Sequence, residues 1–559
     1  MVSTLPRWVR RSRALAVLAR LLKVGSMTES LAIYIPATLF QKAVGLGRVI
    51  LFVYLLKSVK AQYGLWGLGV MIFTLACPIV TLGSYHGLIR YVSFYEARHR
   101  LAQFYRRTRW YILVCAGIIT AIFFLASGSI ARLVFTSRYE VVLHQYRQQL
   151  YLCILALSNG TVLALYHNVR GFLVGMRLYR VVSFLEVFFA IIFTAVGAMV
   201  LMLKPQADSL LWAHLFCIAA VFIVGLLLLE RAVGVFTSVT TPTDGEVIAD
   251  VDSSISRFDG TLLKQDERIV DASVGIKKGF FWQVLQFGFI STLAGFVWQG
   301  AGYISFLLTS RYYGKAKAAV FFAFLPFGQA ILSLADAVRI VLFTHVAKLW
   351  ESHQRHIALI VLETSYKALV LGTMSITVLI YATSPLWVKI FPMNYHDGLK
   401  LLGGILMFFQ VGIHLSLVNI IARLHERPII IAFGPLIGGV VNTVLAVIWL
   451  PYHGPAGAAW AAGLGMFTGA MIISVGYFLA ERVKLNWSTY FILAVPILLA
   501  LPKIPLCITW TLVIIMTIFT TWVLNAREKK LIISSLMRIT SNTLTLLSKR
   551  GRRVENSPS

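Results

Sequence analysis

Fourteen apolar runs, most of them twenty residues or longer, dominate this sequence. Their limits fall near 30–56, 64–89, 110–131, 149–169, 181–203, 209–229, 279–308, 318–345, 358–383, 400–422, 428–450, 455–480, 487–501 and 505–525. A hydrocarbon core about 30 Å thick is crossed by roughly 20 helical residues. Inside it each backbone N–H and C=O must bond within its own helix or within a closed barrel. Barrel strands are about ten residues long and alternate in polarity, which these runs do not. Charged residues make up 13% of the chain, against about a quarter in soluble domains. The expected fold is therefore an all-α polytopic membrane protein. It has about 14 transmembrane helices in two six-helix bundles related by pseudo-two-fold symmetry, plus two C-terminal helices.

The formal net charge is +29. A soluble protein so basic would suggest nucleic acid. Here Lys and Arg are about three times as frequent in one alternate set of connections as in the other, the pattern of the positive-inside rule. It puts both termini in the cytoplasm and leaves no nucleic-acid partner. The expected organisation is a basic, amphipathic segment at 1–29, a first bundle at 30–230, and an acidic cytoplasmic linker at 231–278. A second bundle at 279–482, two added spans at 483–526 and a basic tail at 527–559 follow. The five cysteines lie in apolar segments at no metal-ligand spacing and read as small buried residues.

A charge inside a spanning helix costs about 2.5–3.5 kcal/mol on insertion scales, so it faces protein or a wet cavity. The first run carries Lys42 and Arg48. They are about 9 Å apart along a helix and roughly 120° apart around it, unless Gly45 and Gly47 bend the run. Two cations here suggest a cavity for an anion. Asp336 and Arg339, and Glu363 and Lys367, have the i,i+3 and i,i+4 spacings of helical ion pairs. Glu186 has no partner at such a spacing. An unpaired carboxylate can titrate near neutrality in lipid, which makes Glu186 the leading candidate for ion coupling, followed by Asp336, Glu363 and Lys367.

The stretch Gly438-Gly439-Val-Val-Asn442, Leu450-Pro451 and Gly454-Pro455-Ala456-Gly457-Ala458-Ala459 resembles the polysaccharide transporters of the multidrug/oligosaccharidyl-lipid/polysaccharide (MOP) exporter superfamily, above all the Wzx-type lipid-linked oligosaccharide flippases. Tyr63-Gly64-Leu65, Leu82-Gly83 and Arg170-Gly171 are similar too. The resemblance covers roughly residues 30–525 and implies a central cavity lined by spans one, two, seven and eight. That adds Arg90 and Arg339 to Lys42 and Arg48 as candidates for an anionic head group. Gln41, Trp298 and Gln299 become candidates for sugar contacts.

What the resemblance implies is a flippase of a bacterial inner membrane, not an enzyme. It would carry a polyprenyl-diphosphate-linked oligosaccharide to the outer leaflet for cell-surface polysaccharide synthesis. Neither a cofactor nor a metal is expected, H+ or Na+ would be the coupling ion, and a polymerase and export machinery would act beside it. A flippase for peptidoglycan precursors or a drug/cation exporter would share the fold. A membrane-embedded polymerase or ligase is the rival from another class, and would be expected to carry its chemistry on a large outer loop. The one long loop here is expected inside.

Overall fold

The computed structural model describes residues 27–96, 100–136, 143–238, 280–351, 354–425, 427, 429–483 and 485–533. The basic N-terminal segment, most of the acidic linker and most of the basic tail lie outside them. All regular structure among these residues is helical. Ten helices are long and apolar enough to cross a membrane, and two shorter apolar ones follow. The protein is a polytopic helical membrane protein.

The first half contains α1 (Met27–Leu55), α2 (Lys60–Val80), α3 (Ser84–Glu96), α4 (Leu101–Leu125), α5 (Ser127–Phe135), α6 (Leu143–Gly175), α7 (Tyr179–Leu203) and α8 (Ala207–Ser238). The second contains α9 (Phe280–Glu351), α10 (Arg355–Trp387), α11 (Leu399–Leu424) and α12 (Ile430–Ala480). Then come α13 (Trp487–Ala494), which runs on as a 3₁₀ turn (Val495–Ala500), and α14 (Lys503–Phe519). Each of the fourteen expected spans finds a helical leg. The second span departs from expectation by being broken. Pro78 lies near the end of α2, and Leu82 (φ 46°) and Gly83 (φ 73°) turn the chain before α3. The third begins nine residues early, because the polar stretch with Arg106, Arg107 and Arg109 is already helical.

Both α9 and α12 are hairpins. Gly314 (φ 78°, ψ 172°) and Gly454 (φ 59°, ψ −152°) reverse them in a single residue, a backbone conformation that a Cβ disfavours. Phe306 then faces Phe322 at 5.6 Å. In α12, Gly438 lies against Met466 and Gly465, and Gly465 against Asn442. Small residues let helix backbones approach in a membrane, where no hydrophobic force drives them together. Asn442 ties the hairpins to each other, donating to Ala301 O at 2.8 Å and accepting from Ser305 Oγ at 2.8 Å.

The halves meet chiefly where α9 runs along α2. They close tightly at the end carrying Gly314. There Tyr63 faces Phe322 at 5.5 Å, and Gly64 sits on the backbone carbonyl of Lys315. Lys60 Nζ donates to Asn394 O at 2.5 Å, and Asn394 Nδ2 to Lys57 O at 3.2 Å.

The two extra helices are clamped onto α10 by a buried charge network. Lys367 is fully buried, 2.8 Å from Glu528 and 3.6 Å from Glu363. Glu363 accepts from Asn486 N and Nδ2, both at 2.9 Å, and from Thr489 Oγ1. Asn525 and Glu528 exchange reciprocal 2.8 Å bonds that cap the helix at 526–533. Removing one partner of such a network costs about 3–5 kcal/mol, because the others stay buried and unpaired. Lys367→Met is expected to lower thermal stability in detergent by that order. Adding Glu528→Gln should recover part of it. Equal melting of Lys367→Met and wild type would contradict the clamp.

Candidate functional site

α1 is unbroken through Gly45 and Gly47, so Lys42 and Arg48 keep their angular separation and see different surroundings. Lys42 is half-buried. The charged groups whose fields reach it are Glu186, Arg170, Asp336 and Arg48. It therefore sits where the first half meets α9. Among the described residues it makes no hydrogen bond or ion pair. Arg48 lies 4.7 Å above the ring of Phe193, an arrangement favoured by the ring quadrupole. Phe193 belongs to an aromatic cluster around His214, whose Nδ1 is 2.7 Å from Asn159 Oδ1. Arg48 is thus engaged inside the first half. Gln41, also half-buried on α1, has no hydrogen-bond partner among the described residues.

Glu186 is not unpaired, contrary to the sequence expectation. Arg170 Nε donates to its Oε1 at 2.6 Å. The same guanidinium donates to Tyr34 Oη at 3.0 Å and to Tyr85 Oη. The partner comes from the preceding span, sixteen residues upstream, beyond any i,i+4 rule. One residue so joins α1, α3, α6 and α7.

The second half encloses a cavity of about 350 Å³ among α9, α11 and the first leg of α12, with Thr74 of α2 at its edge. Trp298 and Gln299 are in its wall. Trp298 packs on Phe408 at 4.7 Å, over the bare backbone of Gly412. Asp336 and Arg339 also line it, paired at 2.7 Å. Sequence reasoning missed Gln329, Asn419 and Arg423, which complete the polar lining. Among the described residues the side chains of Gln299, Gln329, Asn419 and Arg423 make no hydrogen bond or ion pair. Arg423 lies over the ring of Phe343 at 5.8 Å. A position next to the end of an apolar run, the usual place of a topology anchor, gave no signal that Arg423 lines a cavity.

Among the described residues, the carboxylates Glu186 and Asp336 and the cations Lys42, Arg170, Arg339 and Arg423 belong to this region. Glu186 is taken by Arg170 and Asp336 by Arg339. Lys42 and Arg423 have no carboxylate partner among the described residues. Asp336 acts electrostatically on both of them. The remaining expected residues fall elsewhere. Glu363 and Lys367 belong to the clamp on α10, and the side chain of Arg90 lies outside the described residues.

No family model matches the chain, and no curated protein does. Solved structures do. A MOP superfamily transporter from Pyrococcus furiosus, described for a binding pocket of reverse polarity that suggests a different function, aligns with a TM-score of 0.56 at 12% identity, covering 84% of this chain and 98% of that one. A MATE protein in complex with MaD3S aligns at 0.55 and 12% identity, covering 83% and 98%. The inward-facing conformation of a multidrug resistance MATE family transporter of the MOP superfamily aligns at 0.51 and 11% identity, covering 84% and 99%. The chain has the fold of these MOP superfamily proteins.

The closed end and the lined cavity give different cysteine accessibilities. In a background without the five native cysteines, Gln329→Cys should react with an impermeant maleimide added from the side of the α11–α12 connection. Tyr63→Cys should react from neither side. Protection of Gln329→Cys from both sides would contradict an accessible cavity.

Proposed function

We propose that this protein is a flippase that moves a lipid-diphosphate-linked oligosaccharide from the cytoplasmic to the outer leaflet by alternating access. The carrying observation is the sign of the unpaired charge. Among the described residues around the seam and the cavity, the charges without an oppositely charged partner are positive, on Lys42 and Arg423. A site for small cations would carry the opposite excess. The cavity wall adds a flat aromatic face at Trp298 and Phe408 and the free amides of Gln299 and Asn419, the combination that holds a sugar ring by stacking and hydrogen bonds. The MOP fold supports transport by rocking of two helical bundles about a site between them.

In this reading the diphosphate uses the cations while the lipid tail stays in the bilayer and the glycan occupies the wet interior. Asp336, beside the cavity, and Glu186, beside Lys42, are the carboxylates positioned to respond to H+ or Na+. Glu363 and Lys367 hold α13 and α14 in place instead. The membrane is a bacterial inner membrane with both termini cytoplasmic, and the product passes to polysaccharide polymerisation and export.

Proteoliposomes loaded with a fluorescent polyprenyl-diphosphate sugar test this reading. Wild type should expose the probe to an external reagent. Lys42→Ala should slow exposure about tenfold or more, the loss expected when a charge-assisted hydrogen bond worth about 1.5–3 kcal/mol is removed. Lys42→Glu should abolish it while inserting normally. Undiminished flipping by a well-folded Lys42→Glu protein would remove Lys42 from the path. Failure of wild type with every donor and ion gradient would reject the function.

A further inference from the structure

The cavity is polarised along its length. Arg423 is the penultimate residue of α11 and lies at the end where α11 hands over to α12, beside Asn419, Ile431 and Pro435. Further in are Trp298, Tyr303, Phe408 and Phe409. Four to five helical turns separate Phe408 from Arg423, or about 22 Å. Lys42 is fifteen residues into α1, also about 22 Å from that helix's start. One cation without a carboxylate partner among the described residues thus stands at the mouth, at the level of one surface of the bundle. The other stands at mid-depth on the opposite half. The Asp336–Arg339 pair lines the same cavity as Arg423.

We infer that Arg423 is the first of two anion stations, capturing the cargo's diphosphate at the mouth before Lys42 receives it at mid-depth. This deepens the flippase reading and rests on it. A lipid diphosphate resting in a leaflet presents its phosphates at headgroup level, which is where Arg423 stands and Lys42 does not. Its guanidinium has five N–H donors in a fork suited to phosphate oxygens. With the diphosphate at the mouth, a sugar attached to it points inward, onto the Trp298–Phe408 face and the amides of Gln299 and Asn419. The head group enters sugar first. Arg339 is poised to take part in the transfer, since a passing phosphate competes with Asp336 for the same guanidinium. The two stations lie on different halves, so passage from one to the other is coupled to their relative movement.

The two stations make separable demands on kinetics. Arg423→Gln should raise the cargo concentration for half-maximal flipping about tenfold and leave the saturated rate within about twofold, since it removes capture and not transit. Lys42→Ala should do the reverse. Arg423→Lys, which keeps the charge, should recover most of the loss. Binding of inorganic pyrophosphate to the purified protein, followed by calorimetry, separates this from the function itself. Wild type should bind it, Arg423→Gln about tenfold more weakly, and Arg423→Lys close to wild type. Pyrophosphate binding that is absent, or indifferent to Arg423→Gln, would overturn the station. So would an Arg423→Gln defect confined to the saturated rate. Binding through Arg423 without any lipid flipping would keep the anion site and reject the flippase.

Discussion

A guanidinium has five donors, no acceptor and no means of shedding its charge in a protein, so burying one obliges its neighbours to supply acceptors. Arg170 imposes that condition on the first half. Tyr34 of α1, Tyr85 of α3 and Glu186 of α7 all converge on it, and their helices are fixed relative to α6 as a result. The same contacts decide the electrostatics of the seam. Because Glu186 is committed to Arg170, it does not neutralise Lys42. The polarity of the site is a by-product of how the first half is held together.

Among the described residues, the second half packs its hairpins together without a buried charge between them. Its hairpins come together through glycine, alanine and the two bonds of Asn442. Charges appear at its margins, in the clamp around Lys367 and at the cavity wall. Close backbone packing at one end and a lined cavity towards the other make the halves a pair of bodies joined mainly through α2 and α9.

Much of the architecture was legible because lipid leaves so few options. Length and hydropathy locate the helices, and the helical period pairs Asp336 with Arg339 and Glu363 with Lys367. Trp298 and Gln299 were legible as polar and aromatic groups in an otherwise apolar run. Pairings between helices were not. Glu186 looked solitary because Arg170 is a tertiary neighbour, and the role of Lys367 depends on Glu528, 161 residues away. Arg423 has the sequence signature of every arginine at a membrane boundary, and only the enclosure of α11 by α9 and α12 distinguishes it. The breaks at Leu82–Gly83, Gly314 and Gly454 depend on backbone angles that composition suggests without specifying.

The one-residue reversals at Gly314 and Gly454 have a consequence for how the molecule meets the outside world. Both lie at the tightly closed end, and neither leaves a loop standing above the bilayer. Among the described residues, what covers that end is little more than α5 and the short segment 388–398. Its described residues offer an antibody or a protease little to grip. Among the described residues, that face is closed by single-residue turns rather than by projecting loops.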